Sequence, residues 1–137
     1  MVSIKSILAT AAAALPLTSA YITNIAAPAS AKAGSTVPVE LTAAIYIQNW
    51  DDFGIVWGLA PEGHDCGDIV CIGQRVAYTS LFPDNEPQPG KFTIDVPIPE
   101  SFTPGDWKLV AAIPYLVGAS GMTQIQGHST NITITAA

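Results

Sequence analysis

Residues 91–98 alternate with period two: Phe92, Ile94, Val96 and Ile98 fall on one side, Lys91, Thr93, Asp95 and Pro97 on the other. Side chains spaced that way share one face of an extended chain, so the pattern predicts a strand with one buried side. The rhythm recurs between proline and glycine punctuation. A strand over residues 21–27 ends at Pro28. Residues 36–47 put Val37, Val39, Leu41, Ala43, Ile45 and Ile47 inward, with Pro38 marking a sheet edge or a bulge. Residues 53–60 follow with Phe53, Ile55, Trp57 and Leu59 in register. Another strand lies near residues 74–81, and residues 106–116 turn Trp107, Leu109, Ala111 and Ile113 to the core. In the last strand Ile125 is odd while Ile132 and Ile134 are even, which predicts a bulge at residues 127–129. Downstream of the N-terminal segment, no stretch shows helical spacing.

About seven short strands with regular turn signals predict an all-β, two-sheet antiparallel sandwich of immunoglobulin or fibronectin type, with a small open barrel as the alternative. The N-terminus changes the picture in another way. Lys5, an apolar run over residues 7–17 and small residues up to Ala20 have the order of a secretory signal peptide, and the run is too short to span a bilayer. Cleavage after Ala20 removes 20 of 137 residues and leaves a single domain of 117, residues 21–137. The expected product is exported, monomeric and without a membrane span.

Net charge is −6, and −7 once Lys5 leaves with the signal. Lys32, Arg75, Lys91 and Lys108 are too few and scattered to form a phosphate-binding stripe, so nucleic acid is excluded as a partner. Cys66 and Cys71, with four residues between them, read as a disulfide in an oxidising route, where a loop this short contributes about 2 kcal/mol. A metal site with His64 and Asp65 or Asp68 is the weaker reading, because the secretory route oxidises thiols. No cofactor is expected.

Catalytic readings fare poorly. Ser129 adjoins His128, but strand neighbours point to opposite faces, and no helix follows "GASG" to make a nucleophile elbow. Oxidative copper enzymes on sandwich folds need a histidine as first mature residue, and here it is Tyr21. Asp51 and Asp52 have turn composition around them, which argues against a glycosidase pair. Calcium at Asp65, Asp68 or the Asp84–Glu86 loop has no spaced motif behind it. The chain is therefore expected not to be an enzyme. Asn131-Ile132-Thr133 is a glycosylation sequon facing away from the core.

The stretch "YIQNWDDFGIVWGLAP", residues 46–61, must contain a turn. One unbroken strand would bury Asn49 and Asp51, at about 2–7 kcal/mol each without partners. Residues 48–52 are then a loop, which in a sandwich shares one end with residues 83–90 and "VGASGM", while the cysteine turn lies at the other end. Trp57 belongs to the core. Trp50 either plugs the end of the sandwich or offers its ring to a partner. Tyr46, Gln48, Trp50, Asp51, Asp52 and Ser120 are the candidate contact residues.

At these residues the chain resembles the fungal necrosis-inducing secreted protein family, with "YIQ…G-(apolar)-AP" as the centre of the likeness and "VGASG" and "ITNIAAPASAKAGSTVPV" in support. The "EGHDCGDIVC" turn is not part of it. The resemblance implies an effector that acts at or inside the plant cell, dampens pattern-triggered immunity and in some members provokes cell death. It implies plant receptor-like kinases as partners: the shared co-receptor kinase of surface immune receptors and its cytoplasmic partner kinase, both inhibited by binding. The competing class is a structural or carbohydrate-binding module of the fungal wall, where small sandwiches with "TPGDW" turns also occur.

Overall fold

The structure is a computed structural model that describes residues 19–46 and 49–137. The expected signal peptide lies almost wholly outside the described residues, as do Ile47 and Gln48. Nine strands are described: β1 (Ser19–Ala26), β2 (Ser30–Lys32), β3 (Thr36–Tyr46), β4 (Trp50–Asp52), β5 (Gly54–Pro61), β6 (Gln74–Ser80), β7 (Gly90–Pro97), β8 (Gly105–Val117) and β9 (Met122–Thr135). β1, β3 and β7 form one sheet in that order. The other runs β2-β9-β8-β5-β6, with β4 also paired to β8, and curls into a half-barrel. The domain is thus all-β and two-sheeted, as the alternation predicts. Two strands beyond the expected seven are the three-residue β2 and β4, too short to show a period, and β2 runs parallel to β9.

The inner faces are the predicted ones over most of the chain. Val37, Val39 and Leu41 of β3 meet Ile55, Trp57 and Leu59 of β5, Leu109, Ala111 and Ile113 of β8, and Ile132 and Ile134 of β9, all buried. Each such large side chain contributes about 1.5–3 kcal/mol by leaving water. Trp57 also donates its indole N–H to Thr79 Oγ1 at 2.9 Å. Pro38 sits where β3 has run past the last β1 pair, Ala26 with Glu40, so its missing N–H costs the sheet little.

Three expectations are corrected. Residues 48–52 are not simply a loop: Trp50–Asp52 is a strand on β8, with Trp50 opposite Val117 and Asp52 opposite Tyr115. The bulge predicted in the last strand is absent, because β8 and β9 pair without a break from Gly105 with Ile134 to Val117 with Met122. Ile125 is instead on the outer face, 54% exposed, and from Gln126 to Ile134 the even positions are the more buried ones. The extra residue is between β4 and β5, since Asp52 faces Tyr115 while Val56 faces Ala112, setting three residues against two. Finally, Ile45 is 59% exposed. Tyr46 makes ring contacts with Tyr21 and Trp50 at that end, and neighbours along a strand point opposite ways.

β1 starts at Ser19, so cleavage after Ala20 shortens it by two pairs and keeps those from Tyr21 with Ala44 onward. No described helix is long and apolar enough to cross a membrane.

Candidate functional site at the loop end

The bulge between β4 and β5 decides what this end of the domain is made of. It lets Trp50 and Asp52 point inward on one side of it while Ile55 and Trp57 point inward on the other. Trp50 is half-buried and stacks on Tyr115, with centroids 4.3 Å apart and planes 7° from parallel. It also meets Tyr21 at 4.8 Å and Tyr46 at 4.9 Å. Rings packed this way are worth about 0.5–1.5 kcal/mol a pair beyond their buried area. Trp50 therefore belongs to a four-ring cluster closing this end, which answers the question its sequence position leaves open: the indole is a plug whose outer part reaches solvent.

Asp52 is the buried charged residue of the described chain, 1% exposed. Its Oδ1 accepts from Trp50 Nε1 at 2.8 Å, and its Oδ2 accepts from the Ile22 backbone N–H at 2.9 Å. Ile22 lies at a register slip in β1, on the edge that β3 does not cover. The carboxylate thus ties the free edge of the small sheet to β4 in the large one. Burial pushes its pKa above the ordinary carboxylate value. The two N–H donors and the nearby His128 pull it back, and the Asp51 charge adds to the rise.

β9 contributes a polar inner face at the same end. His128 lies opposite Ala111 and Gln126 opposite Ile113, and Gln124 accepts from the Tyr115 hydroxyl at 3.1 Å. Burial lowers the His128 pKa, against the Ile22 backbone and the Asp52 charge, which raise it. Gln126 Oε1 and His128 Nε2 are buried with no hydrogen-bond partner among the described residues. Such atoms cost about 1–3 kcal/mol each, so this end stores polarity that the apolar end lacks.

The three expected loops do meet here. Gly118 donates to the Asn49 carbonyl at 2.9 Å, and Leu81 and Phe82 both donate to the Phe53 carbonyl. Asp51 faces outward, close enough to Glu86 to interact. Desolvation and then the Asp51 carboxyl push the Glu86 pKa up. Ser120 is exposed in the hairpin turn, its hydroxyl 3.5 Å from the Val117 carbonyl. The rim also carries Ile45, Phe82 and Met122 in solvent. Of the sequence candidates, Tyr46, Trp50, Asp51 and Asp52 come together and Ser120 joins the rim. Asp52 presents nothing to a partner, because it is spent inside, and Gln48 lies outside the described residues. Tyr21, Tyr115, Gln126 and His128 are additional members. A tryptophan two residues before an acid on one strand was the available signal for the indole–carboxylate pair.

Cys66 and Cys71 form the expected disulfide. Their turn starts at the opposite end but folds back over the outer face of the large sheet, where Val70 rests on Gly127 and Ile72 crosses Gly58. A β-carbon on Gly58 would come within 2.3 Å of the Ile72 carbonyl oxygen, so only glycine admits this crossing. Asn131 is exposed on β9 opposite Lys108, and Thr133 donates its hydroxyl to Asp106 at 2.9 Å.

These features define a small all-β domain with one end organised by packed rings and a buried carboxylate. The chain belongs to the Nis1 family, whose sequence profile matches residues 18–133. It is 29% identical over 127 residues to necrosis-inducing secreted protein 1 of Colletotrichum orbiculare, covering 93% of this chain and 77% of that protein. The protein of the same name from Colletotrichum higginsianum is 28% identical over 130 residues, covering 95% and 89%. Both relatives are secreted proteins by name, in agreement with the expected export, and the family resemblance noted at residues 46–61 stands. Among solved structures, a superoxide reductase (neelaredoxin) from Ignicoccus hospitalis is similar at a TM-score of 0.43 and 12% identity over 86% of this chain and 82% of that one. A neutral ceramidase from Pseudomonas aeruginosa reaches 0.42 and 15%, over 85% of this chain and 19% of that one. Nothing about function follows from likeness at that level.

Proposed function

We propose that this protein is a secreted fungal effector that suppresses plant pattern-triggered immunity by binding immune receptor-associated kinases and inhibiting them, without catalysis of its own. The observation that carries the reading is the loop end. Three loops converge on a ring cluster that holds them in place, and the rim sets Phe82 and Met122 in solvent beside the acids Asp51 and Glu86. Apolar anchors with a charged border on a preorganised scaffold are what a protein-binding surface needs, because little ordering entropy is left to lose on contact. That the bound proteins are the co-receptor kinase and its cytoplasmic partner rests on the family resemblance.

Pull-down and autophosphorylation assays with purified kinase domains test the proposal. Binding with loss of autophosphorylation is expected, and Phe82→Ala with Met122→Ala weakens both while the fold is kept. Absence of binding at about tens of micromolar sinks it. Retention on chitin or glucan, with the kinases ignored, would point to a wall-associated module instead.

A further inference from the structure

The cysteine turn holds more than a staple. His64 Nε2 lies 3.3 Å from Cys71 Sγ and 3.8 Å from Cys66 Sγ. These three atoms all fall within 4.8 Å of one another. In a tetrahedral zinc site, with bonds of about 2.3 Å to sulfur and 2.0–2.1 Å to nitrogen, neighbouring donor atoms stand roughly 3.5–3.8 Å apart. The two histidine–sulfur edges are therefore close to that spacing already. Only the edge between the sulfurs is wrong, and it is wrong because they are bonded to each other.

We propose that reduction of the Cys66–Cys71 bond converts this turn into a zinc site with Cys66, Cys71 and His64 as ligands. The fourth position goes to water or to Asp65, which lines the same groove of about 220 Å³. A dithiol reductant supplies two electrons and two protons, cleaves the S–S bond and is itself oxidised to a disulfide. Zinc(II) then takes both sulfurs as thiolates and releases two protons.

The donors stay in place when the bridge opens because the turn is held independently of it. The Lys108 ammonium donates to the His64 carbonyl, His64 N–H donates to the Pro61 carbonyl at 2.9 Å, and Val70 and Ile72 remain seated on Gly127 and Gly58. The Cα atoms of Cys66 and Cys71 are 6.1 Å apart, so the sulfurs separate by side-chain rotation without moving backbone. Cys66 is exposed, which gives a reductant access. The same turn is then a disulfide in an oxidising compartment and a metal knot in a reducing one.

The test uses cobalt(II) as the spectroscopic probe. The secreted protein is reduced with dithiothreitol, freed of it by gel filtration under anaerobic conditions and titrated with cobalt(II), then zinc(II). Reduced protein is expected to bind one cobalt per chain. It should show a thiolate-to-cobalt charge-transfer band and the strong visible bands of a tetrahedral site, both erased by zinc, and oxidised protein should show neither. His64→Ala should weaken binding about 10–100-fold, at least the scale on which outer ligand partners act. Cys66→Ser should abolish the charge-transfer band seen at one equivalent, with tryptophan near-ultraviolet circular dichroism reporting that the domain is still folded. Reduced protein with two titratable thiols and no band overturns the proposal. So does half an equivalent of metal per chain, or an affinity that His64→Ala leaves unchanged.

Discussion

The β8–β9 hairpin is one ladder with two interiors. At its open end, near the Gly105–Ile134 pair, the inward positions include Leu109, Ile132 and Ile134, all buried and aliphatic, with Trp107 packed against the same core. Toward the turn, the same face carries Tyr115, Gln124, Gln126 and His128, joined by Asp52 from β4. Backbone pairing is identical in the two halves, so the difference lies in side chains alone. The apolar half gains stability from area removed from water. The polar half gives some back in desolvation and in two unpartnered atoms, and receives in return a defined geometry for three loops.

Substitutions can break this comparison or sharpen it. The largest effect is expected in the apolar interior, where Trp57→Ala should cost about 3–5 kcal/mol, read as a lower urea midpoint. Asp52→Ala should come next, at about 2–4 kcal/mol, because it orphans the Ile22 and Trp50 N–H donors together. Asp52→Asn keeps one acceptor and should cost less. If Asp52→Ala were neutral, the carboxylate would not be what joins the sheets. Trp50→Ala should cost about 1–3 kcal/mol by removing three ring contacts and one hydrogen bond, whereas Trp50→Phe should retain part of the stacking.

Smaller and distinct in kind is the response to pH. The folded His128 pKa lies below its ordinary 6.5, so the unfolded chain takes up a proton first as pH falls. His128 therefore contributes stability above about pH 6.5 that is lost as pH drops toward the folded value. Asp52 acts in the opposite sense, since its raised pKa makes the folded state gain as pH falls through that value. Melting temperatures should decline on acidification just below pH 6.5 in the native protein, and His128→Gln should flatten that decline. Least of all, Asp51→Ala should change stability by under about 0.5 kcal/mol, as an outward-facing acid does. It should also bring the Glu86 pKa down, observable by carboxyl NMR titration.

The sequence is legible where burial is apolar. Val37, Val39 and Leu41, and likewise Phe92, Ile94 and Val96, alternate cleanly because their strands present a greasy face to a greasy partner. It misleads where the interior is polar. Gln126 and His128 face inward, so reading apolar as inward put Ile125 on the wrong side and required a bulge in β9 that does not exist. The real bulge, after Asp52, looked like a turn because a parity change and a loop leave the same trace in a one-dimensional pattern. That residues near 49, 82 and 118 lie at one end was legible from the strand order that the alternation predicts. The folding of the cysteine turn over the sheet was not, since it depends on small residues at Gly58 and Gly127 that only acquire meaning once Ile72 and Val70 are seen above them.

The parallel pairing of β2 with β9 also sets an order of events. Residues 30–32 find their partners at 133–135, more than a hundred positions later, and Thr135 donates its hydroxyl back to the Ala31 carbonyl. A chain made from its N-terminus can pair β1 with β3 early but holds β2 waiting until residues 133–135 emerge. The β8–β9 hairpin, whose contacts are near in sequence, can form quickly, but the loop that β2 closes is almost as long as the domain and is entropically slow to shut. Completion of this sheet therefore waits on β9, and deletion of residues 133–135 should leave β2 without its neighbour.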